Sequence, residues 1–309
     1  MPKLGEFGRI ERFFAPLAAD LPGAYGLTDD AATVQVPHGY ELVVTTDALV
    51  ERVHFLSTDQ PEDLAAKLLA VNLSDLAAKG ADPLCYSLVL SLPAHAGDYW
   101  VGRFAHGLGE SQRNWGIKLL GGDSVSTDGP ITLAATVMGL VPTGRMVRRA
   151  GAQVGDGLYV SGTIGDAALA LAQFERTGEV HPYLRSRYRR PTPRVELAGW
   201  VRDHAHAAID ISDGLAADCS HLARASNVRC EIDAALVPLS EPAAALLASE
   251  PALRDRVLGG GDDYELLIAA AQAPPGTTRV GRVIAGEGAE ILDSAGVPIT
   301  LARTGWTHG

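Results

Sequence analysis

The chain has 309 residues, 47% of them hydrophobic, and a formal net charge of −11. This length accommodates two domains, and the acidic balance argues against a general affinity for nucleic acid or for acidic membranes. No apolar run reaches the roughly 18 residues of a membrane span, and the N-terminus lacks a signal-peptide pattern. Cys85, Cys219 and Cys230 form no CxxC pair, and three cysteines cannot all pair within one chain, which favours a reducing compartment. We therefore expect a soluble, cytoplasmic protein with no nucleic-acid or membrane partner.

The first half of the chain alternates strand-like and helical segments. Strand-like apolar runs lie at 41–47, 84–92, 117–123 and 131–140, and helical patterns lie at 61–80 and 97–114. Pro61 is suited to open the first of these helices, and Gly80 is a natural stop. The alternation predicts a sheet covered by helices.

The second half repeats this alternation after a stretch rich in Gly and Arg at 142–157. Strand-like runs lie at 158–162, 207–212, 228–233 and 264–270, and helical patterns lie at 165–177, 193–205 and 214–226. The stretch at 142–157 is the predicted domain boundary. The sequence thus predicts two α/β (α+β) domains, 1–142 and 143–309.

Asp75 lies on an apolar stripe of the first predicted helix. At about 100° per residue it falls in line with Leu64, Leu68 and Val71. A buried carboxylate without a partner is strongly destabilising, so this position requires a counter-charge. A salt bridge to Lys79, one turn on, is one possibility. A bound cation is the other.

Further aspartates lie in or at the ends of strand-like runs or in short turns, nearly all of these sites beside Gly, Ser or Thr. They are Asp29, Asp30, Asp47, Asp123, Asp210, Asp213, Asp262 and Asp263. One Asp at such a position is typically a turn or helix-cap residue. Two carboxylates about 5 Å apart repel by about 3 kcal/mol, so a converging set requires a cation. Oxygen ligands without His or Cys favour Mg²⁺ or Ca²⁺, and Mg²⁺ shared with phosphates predicts a nucleotide site.

Glycine-rich and basic segments give weaker signals. The sequence contains no P-loop, dinucleotide-binding fingerprint, HExxH or GxSxG motif. The segment SGTIGDAAL (161–169) either offers backbone N–H groups to an anion or forms a tight turn that places Asp166 in a first helical turn. Of two basic clusters, 144–151 could hold phosphates, and 183–194 is expected to be a solvated surface or a flexible loop.

Seven motifs together resemble a known family. In chain order they are TTDALVERVHF (45–55), AVNLSDLAAKGADP (70–83), GGDSV (121–125), VSGTIGD (160–166), DISDGLAAD (210–218), GGDDYELL (260–267) and a terminal GW (305–306). They resemble the thiamine-monophosphate kinase family, in the superfamily that includes aminoimidazole ribonucleotide synthetase. The resemblance covers nearly the whole chain, and the combination of the first two motifs is its most specific part.

The resemblance implies an aminoimidazole ribonucleotide synthetase-like fold. The N-terminal domain would bind ATP and Mg²⁺ and would dimerise by joining two sheets into a barrel, and the C-terminal domain would be α/β. The implied reaction is Mg²⁺-dependent, in-line transfer of the ATP γ-phosphoryl group to thiamine monophosphate, giving thiamine diphosphate and ADP. The acceptor phosphate is already anionic near neutral pH, so no residue is assigned as a general base. Several Mg²⁺ ions and Arg149 would offset the negative charge.

The resemblance also implies residue roles by motif position. The expected Mg²⁺ ligands are Asp30, Thr45, Thr46, Asp47, Asp75, Asp123, Asp210 and Asp213. The expected ATP contacts are Gly122, Asp123, Arg149 and Ser212. The expected contacts to the thiamine substrate are His54, Asp262 and Trp306. On this interpretation bound Mg²⁺ is what stabilises Asp75.

Three positions depart from the family pattern. Thr28 replaces a Gly in GIGDD, Asp262 replaces the Glu of GGEDYEL, and Ala105 replaces an aromatic after RF. The first change is expected to shift the backbone that holds Asp30. The third removes a residue that could stack on adenine.

Four other interpretations fit the sequence less well. Selenophosphate synthetase would require a reactive Cys near the N-terminus, and the hydrogenase maturation relative would require a terminal Cys. Aminoimidazole ribonucleotide synthetase would lack the 45–55 motif in this form. A non-catalytic nucleotide sensor would have lost metal carboxylates, and the main ones are all present.

Overall fold

A computed structural model describes residues 4–176 and 178–306. The chain divides into two compact units, Met1–Leu76 with Asp82–Gly144, and Ala77–Ala81 with Arg145–Gly309. Each unit is built on one sheet, of four strands in the first and six in the second. The predicted fold class, two mixed α/β units, is confirmed. Among the described residues, no helix combines the length and apolarity needed to cross a membrane.

The first unit contains four helices and four long strands. Its helices are α1 (Glu6–Arg9), α2 (Ala15–Ala18), α3 (Pro61–Ala78) and α4 (Asp98–Trp115), with a π-helical turn at Ile10–Phe14 and a 3₁₀ segment at Pro22–Leu27. Its strands are β1 (Tyr40–Val50), β2 (Asp82–Leu92), β3 (Lys118–Ser126) and β4 (Thr132–Pro142). They lie in the order β1-β4-β2-β3, with β2 and β3 parallel and the other pairs antiparallel. The outer strands β1 and β3 are therefore the two edges of the sheet.

The strands of this sheet bury one face and leave the other open. In β1, Val43 and Leu49 are buried whereas Val44 is 53% exposed, as the two-residue alternation of a strand requires. Across β2, Val89 is 44% exposed and pairs with Ala134 of β4 on the open face. The open face thus carries apolar side chains.

Two strands are longer than the sequence indicated. The prediction ended them at Asp47 and Asp123, because Asp is rare inside strands. In the structure β1 continues to Val50 and β3 to Ser126. Backbone pairing with β4 and β2 carries the chain past both carboxylates. Both aspartates therefore lie within strands, and their directions are set by the pleat.

Helix α3 ends two residues before the predicted stop. Gly80 adopts φ +68, and a Cβ there would lie 2.7 Å from the Cβ of Arg202, so glycine is required. Leu64, Leu68 and Val71 are at most 3% exposed. The stripe predicted from their spacing is buried, and so is the second stripe of Leu69, Leu73 and Leu76.

In its described residues, the second unit contains six α-helices and a mixed sheet. Its strands are β5 (Gly157–Ser161), β6 (Ala207–Asp210), β7 (Arg229–Asp233), β8 (Leu266–Ala270), β9 (Thr277–Ile284) and β10 (Gly288–Leu292). Its helices are α5 (Asp166–Arg176), α6 (Pro182–Arg189), α7 (Ala198–His204), α8 (Leu215–Ser226), α9 (Glu241–Ser249) and α10 (Arg254–Gly259). The strand order is β10-β7-β9-β5-β8-β6. Every residue of β5, β6 and β8 is buried, which explains their continuous apolar runs.

Two features of the second unit differ from the sequence prediction. The basic segment 183–194, expected to be solvated or flexible, forms most of α6 and buries Arg187. Helices α9 and α10 and strands β9 and β10 were not predicted. The predicted end of the 165–177 helix lies outside the described residues, and α5 is described to Arg176.

Candidate active site

Thr45, Asp47 and Asp75 meet on the packed face of the first sheet. Because side chains alternate along β1, Thr45 and Asp47 project to the same side as the buried Val43 and Leu49. Asp75 Oδ2 accepts a hydrogen bond from Thr45 Oγ1 at 2.5 Å. The helix stripe and the strand pleat together bring two carboxylates and a hydroxyl to one place.

The two carboxylates of this cluster repel each other. Burial, and then the nearby charge of Asp75, raise the pKa of Asp47 to about 6. The alternative salt bridge from Lys79 is not what the structure shows, since Lys79 Nζ donates to the carbonyl oxygen of Ala208 at 2.9 Å. A partly buried pair of carboxylates beside a hydroxyl is an oxygen donor set that fits a hard divalent cation.

Thr46 and Asp123 lie on the opposite, open face of the sheet. Thr46 pairs with Thr136 across the ladder, and its Oγ1 donates to Thr136 Oγ1 at 3.0 Å. Asp123 is exposed and pairs with Val89. Directly opposed residues share a face, so these two predicted ligands point away from Thr45 and Asp47.

Gly122 and Asp123 are also distant from β1 along the sheet. They lie on β3, which is separated from β1 by three strand spacings, or roughly 14 Å. A Cβ on Gly122 would lie 1.9 Å from the carbonyl oxygen of Leu88, so β3 tolerates only glycine there. One copy of the chain therefore does not bring Gly122 and Asp123 to Asp47.

Asp30 and His54 lie in loops of the first unit. The backbone N–H of Asp30 donates to Asp29 Oδ1 at 2.8 Å, and Asp30 is exposed. His54 follows β1, and its Nδ1 accepts the Val50 N–H at 3.0 Å. A neutral His54 ring therefore carries its proton on Nε2.

Thr28 lies in a turn whose backbone conformation does not require glycine. Thr28 has φ −109 and ψ −1, a conformation open to any residue, and its Oγ1 donates to the carbonyl oxygen of Tyr25 at 2.8 Å. Ala105 is 4% exposed within α4, so that departure lies at a packed position. Threonine at residue 28 thus fits the turn before Asp30 without glycine.

A tight turn at the end of β6 presents Ser212 and Asp213. Asp210, the last residue of β6, is 4% exposed. The backbone N–H groups of Ser212, Asp213 and Gly214 all donate to Asp218 Oδ2 at 3.1 Å. One carboxylate therefore fixes three successive N–H groups, and with them the turn.

Asp218 and His221 form a second polar cluster with Asp213. One donor atom from each of the three lies within 4.8 Å of the others. Burial, followed by the charge of Asp213, raises the pKa of Asp218 to about 7, although the three N–H groups act in the opposite direction. The sequence analysis assigned only Asp213. Asp218 and His221 are three residues apart, a spacing that places both on one helix face. That spacing could have indicated the cluster from the sequence.

The loop that carries Asp262 runs beside this turn. The Asp262 N–H donates to the carbonyl oxygen of Ser212 at 2.9 Å, and the Tyr264 N–H donates to that of Ile211 at 2.8 Å. A Cβ on Gly261 would lie 2.4 Å from the Ser212 carbonyl oxygen, so the two segments are in close contact. The predicted ATP contact Ser212 and the predicted substrate contact Asp262 are therefore neighbours.

Trp306 is anchored to the same turn by its backbone. Its N–H donates to the carbonyl oxygen of Asp213 at 3.0 Å. A Cβ on the preceding Gly305 would lie 2.4 Å from the Cβ of Ala217, which explains the glycine of the GW motif. The Trp306 side chain is 42% exposed. The backbone of Trp306 is thus fixed to the turn, and part of its indole is exposed to solvent.

Arg149 lies at the edge of the second sheet. Its carbonyl oxygen accepts Ser226 Oγ at 3.0 Å, and the carbonyl of the preceding Arg148 accepts the Ala208 N–H at 3.1 Å. Both arginines are exposed. The backbone of this segment is thus fixed beside β6, while the guanidinium of Arg149 faces solvent.

Glu265 centres a buried ion network that the sequence analysis missed. Glu265 is 0% exposed, and its carboxylate accepts Arg187 Nη2 at 2.6 Å, Arg194 Nε and Nη2 at 2.6 Å, and Ser161 Oγ at 2.5 Å. The second domain contains an acidic run, DDYE, and an arginine-rich segment, and these two features could have indicated an ion network. Sequence separation hid their pairing, because Arg187 and Glu265 are 78 residues apart.

The turn at 161–166 uses its N–H groups internally. The Gly165 N–H donates to Asp263 Oδ1 at 2.8 Å, and the Ile164 N–H donates to the carbonyl oxygen of Pro238 at 3.0 Å. Asp166 is 1% exposed and accepts Ser240 Oγ at 2.5 Å. Of the two interpretations of this segment, the tight turn is therefore the one that the structure supports.

Comparisons with known proteins agree with this architecture. Residues 28–141 match the family AIR synthase related protein, N-terminal domain, and residues 153–293 match AIR synthase related protein, C-terminal domain. A thiamine-monophosphate kinase of Caulobacter vibrioides is 42% identical, over 98% of this chain and 91% of that protein.

Two solved structures share the fold over most of the chain. The thiamine-monophosphate kinase from Stenotrophomonas maltophilia has a TM-score of 0.80 and 40% identity, covering 88% of this chain and 91% of its own. AaThiL complexed with AMPPCP and TMP also has a TM-score of 0.80, with 34% identity, covering 99% of this chain and 97% of its own. With its two-sheet fold, its oxygen donor clusters and this likeness along its whole length, the chain belongs to the thiamine-monophosphate kinase family.

Proposed function

We propose that this chain transfers the γ-phosphoryl group of ATP to thiamine monophosphate, giving thiamine diphosphate and ADP. The observation that carries the proposal is the cluster of Thr45, Asp47 and Asp75 in a chain of this family. A structural relative was solved with AMPPCP, an ATP analogue, together with TMP. That relative aligns with 99% of this chain, which supports the same pair of substrates here.

The transfer is proposed as a direct in-line attack by the acceptor phosphate. A phosphate monoester has a second pKa of about 6, so the attacking oxygen carries negative charge at neutral pH. No side chain therefore has to remove a proton from it. The chain has to hold two anionic groups in line in spite of its own formal charge of −11.

Mg²⁺ fits the donor set of the proposed site. The fit rests on the carboxylates of Asp47 and Asp75, which repel each other in a partly buried position, and on the hydroxyl of Thr45, which donates to Asp75. In the first unit, Thr45, Asp47 and Asp75 would hold one Mg²⁺ ion. Asp30, Thr46, Asp123, Asp210 and Asp213 are proposed as ligands of further Mg²⁺ ions, since Thr46 and Asp123 lie on the opposite face of the sheet. When bound, Mg²⁺ neutralises phosphate charge and stabilises the transferring group. Thr45, by its hydrogen bond, orients Asp75 for this role.

The other residues proposed for the site would contact ATP or the thiamine substrate. Gly122, Asp123, Arg149 and Ser212 would contact ATP. His54, Asp262 and Trp306 would contact the thiamine substrate. The exposed guanidinium of Arg149 can offset phosphate charge, and the half-open indole of Trp306 can stack on the thiamine rings.

A homodimer would complete the N-terminal part of the site. The first unit, proposed as the ATP- and Mg²⁺-binding and dimerisation domain, has two edge strands and an open face with exposed Val44 and Val89. Joining the β3 edge of one copy to the β1 edge of another would bring Gly122 and Asp123 of one copy to the neighbourhood of the other copy's Asp47. Such closure also removes edges that would otherwise be open to aggregation.

A cytoplasmic location is proposed because the three cysteines form no disulfide bond. Cys85, Cys219 and Cys230 are all buried and unpaired. Unpaired cysteines are the rule in a reducing compartment.

The stereochemistry of transfer tests the proposed mechanism. With ATP made chiral at a γ-phosphorothioate, a single in-line step inverts the configuration at phosphorus, and we expect inversion. Retention would mean a covalent phosphoenzyme and would overturn direct transfer. A chelator should abolish turnover and added Mg²⁺ should restore it, whereas turnover that is insensitive to chelation would overturn the metal assignment.

A further inference from the structure

The loop that carries Asp262 has an unusual backbone. Gly261, Asp262 and Tyr264 have φ values of +73, +64 and +51. This left-handed region is unfavourable for residues other than glycine, and non-glycine residues in it concentrate at functional sites. Two of the three residues are not glycine, so the surrounding structure must hold this loop in place.

The alternate residues of the loop supply that restraint. Asp263 is 2% exposed and Glu265 is 0% exposed. Asp263 Oδ1 accepts the Gly165 N–H at 2.8 Å, and the Glu265 carboxylate accepts hydrogen bonds from Arg187 and Arg194. Both anchors point into the unit. The loop is therefore held to the interior of the unit by two alternate residues, Asp263 and Glu265.

The residues between these anchors point the other way. Asp262 and Tyr264 are both partly exposed, and the Tyr264 hydroxyl donates to Asp262 Oδ1 at 3.0 Å. The phenol thus reaches back over one residue and fixes the direction of the carboxylate. This hydrogen bond restricts the rotamers that are open to the Asp262 side chain.

We propose that Tyr264 is a positioning residue that aims the Asp262 carboxylate at the thiamine substrate. The inference rests on the proposed role of Asp262 in binding that substrate. A carboxylate complements the cationic thiazolium and the amino group of the pyrimidine, and its contribution depends on its direction. The hydroxyl of Tyr264, acting through Asp262, therefore contributes to the affinity for thiamine monophosphate.

The test is a double-mutant cycle on steady-state kinetics. Tyr264→Phe removes only the hydroxyl, and we expect it to raise the KM for thiamine monophosphate about three- to tenfold, the usual range for one hydrogen bond. The kcat, the KM for ATP and the melting temperature should change little. In an Asp262→Ala background, the Tyr264→Phe change should have no further effect. Tyr99→Phe, which removes the hydroxyl of a 79% exposed tyrosine in the first unit, is the matched control.

The outcomes separate this inference from the proposed function. If Asp262→Ala raises the KM for thiamine monophosphate but Tyr264→Phe does not, the positioning role is overturned and the role of Asp262 stands. If the two changes are additive, Tyr264 acts independently of Asp262, and the inference is also overturned. If Asp262→Ala leaves that KM unchanged with turnover intact, the proposed role of Asp262 fails and the inference fails with it. Asp262→Asn replaces Asp262→Ala should the latter not fold.

Discussion

Asp75 shows how one residue links the fold to the chemistry. Its place on the stripe of Leu64, Leu68 and Val71 mounts the carboxylate on a packed helix. Thr45 then sets the direction of that carboxylate with a short hydrogen bond. Burial first, and then the nearby charge of Asp75, raise the pKa of Asp47, and a bound cation would offset both effects.

Asp75→Asn is expected to abolish phosphoryl transfer, by more than about a hundredfold, because it removes a charged metal ligand. The metal-free variant should melt no lower than the wild type, since the repulsion with Asp47 is relieved. Mg·ATP should raise its melting temperature less. Turnover and thermal melting with and without Mg·ATP check this prediction.

Asp128→Asn is the matched control for this change, because Asp128 is exposed in the turn between β3 and β4. It should behave as the wild type in both assays. Near-normal turnover of Asp75→Asn would contradict the assignment.

Trp306→Ala is expected to weaken thiamine monophosphate binding while ATP binding stays nearly unchanged. Loss of aromatic stacking or cation–π contact with the thiamine rings costs about 0.5–2 kcal/mol, a several-fold to about thirtyfold change in affinity. Because 42% of the side chain is exposed and the anchor is a backbone hydrogen bond, the melting temperature should fall little. Isothermal titration of both ligands measures the effect.

Tyr99→Ala controls for the loss of an exposed aromatic ring, since Tyr99 is 79% exposed. It should leave both affinities unchanged. A Trp306→Ala variant that melts lower but keeps its affinity for thiamine monophosphate would make Trp306 a packing residue.

The directions in which the site side chains project could be predicted from the sequence only in part. The spacing along α3 correctly placed Asp75 on the packed face. The two-residue period of β1 separates Thr46 from Thr45 and Asp47, yet motif matching grouped all three together. The hydrogen bond between Thr45 and Asp75 joins residues 30 positions apart on different elements, and no local pattern indicates it.

At the scale of elements, the ion network of Glu265 ties α6 to the loop before β8. The carboxylate is fully buried, and Arg187 and Arg194 are 10% and 23% exposed. Buried charges of this kind are tolerated only when they are fully paired. The network therefore joins α6 and the segment that carries Arg194 to the loop before β8.

Glu265→Gln is expected to destabilise the protein by about 3–5 kcal/mol, because two largely buried guanidinium groups lose their counter-charge. Urea denaturation at neutral pH measures the free energy of unfolding. Glu196→Gln is a close control, since Glu196 also pairs with Arg194, at 3.8 Å, but is 60% exposed. Its effect should lie within about 0.5 kcal/mol. Equal effects of the two changes would contradict a structural role for the buried network.

Elements with strong periodicity were the ones that the sequence predicted well. Helix α3 and the buried strands β5, β6 and β8 follow from apolar patterns alone. Helix α6 did not, because its arginines suggested a solvated surface and their buried partners are distant in sequence. The ends of β1 and β3 were wrong for a related reason, since pairing with neighbouring strands outweighs the low strand propensity of Asp.

At the scale of the whole molecule, the open face of the first sheet predicts self-association. Multi-angle light scattering at micromolar concentration should give twice the chain mass of 32.4 kDa. Val89→Asp, on the open face, should shift the mass toward the monomer. Val154→Asp, at a 62% exposed loop position of the second unit, should not. A stable wild-type monomer would contradict the proposed sharing of sites between copies.

The central claim is that this chain phosphorylates thiamine monophosphate. The most direct measurement incubates the purified chain with ATP, Mg²⁺ and either thiamine monophosphate or free thiamine, and quantifies products by chromatography and mass spectrometry. The account predicts thiamine diphosphate and ADP in equal amounts from thiamine monophosphate, with no phosphorylated product from free thiamine. ATP turnover without thiamine diphosphate, or phosphorylation of free thiamine in its place, would contradict it.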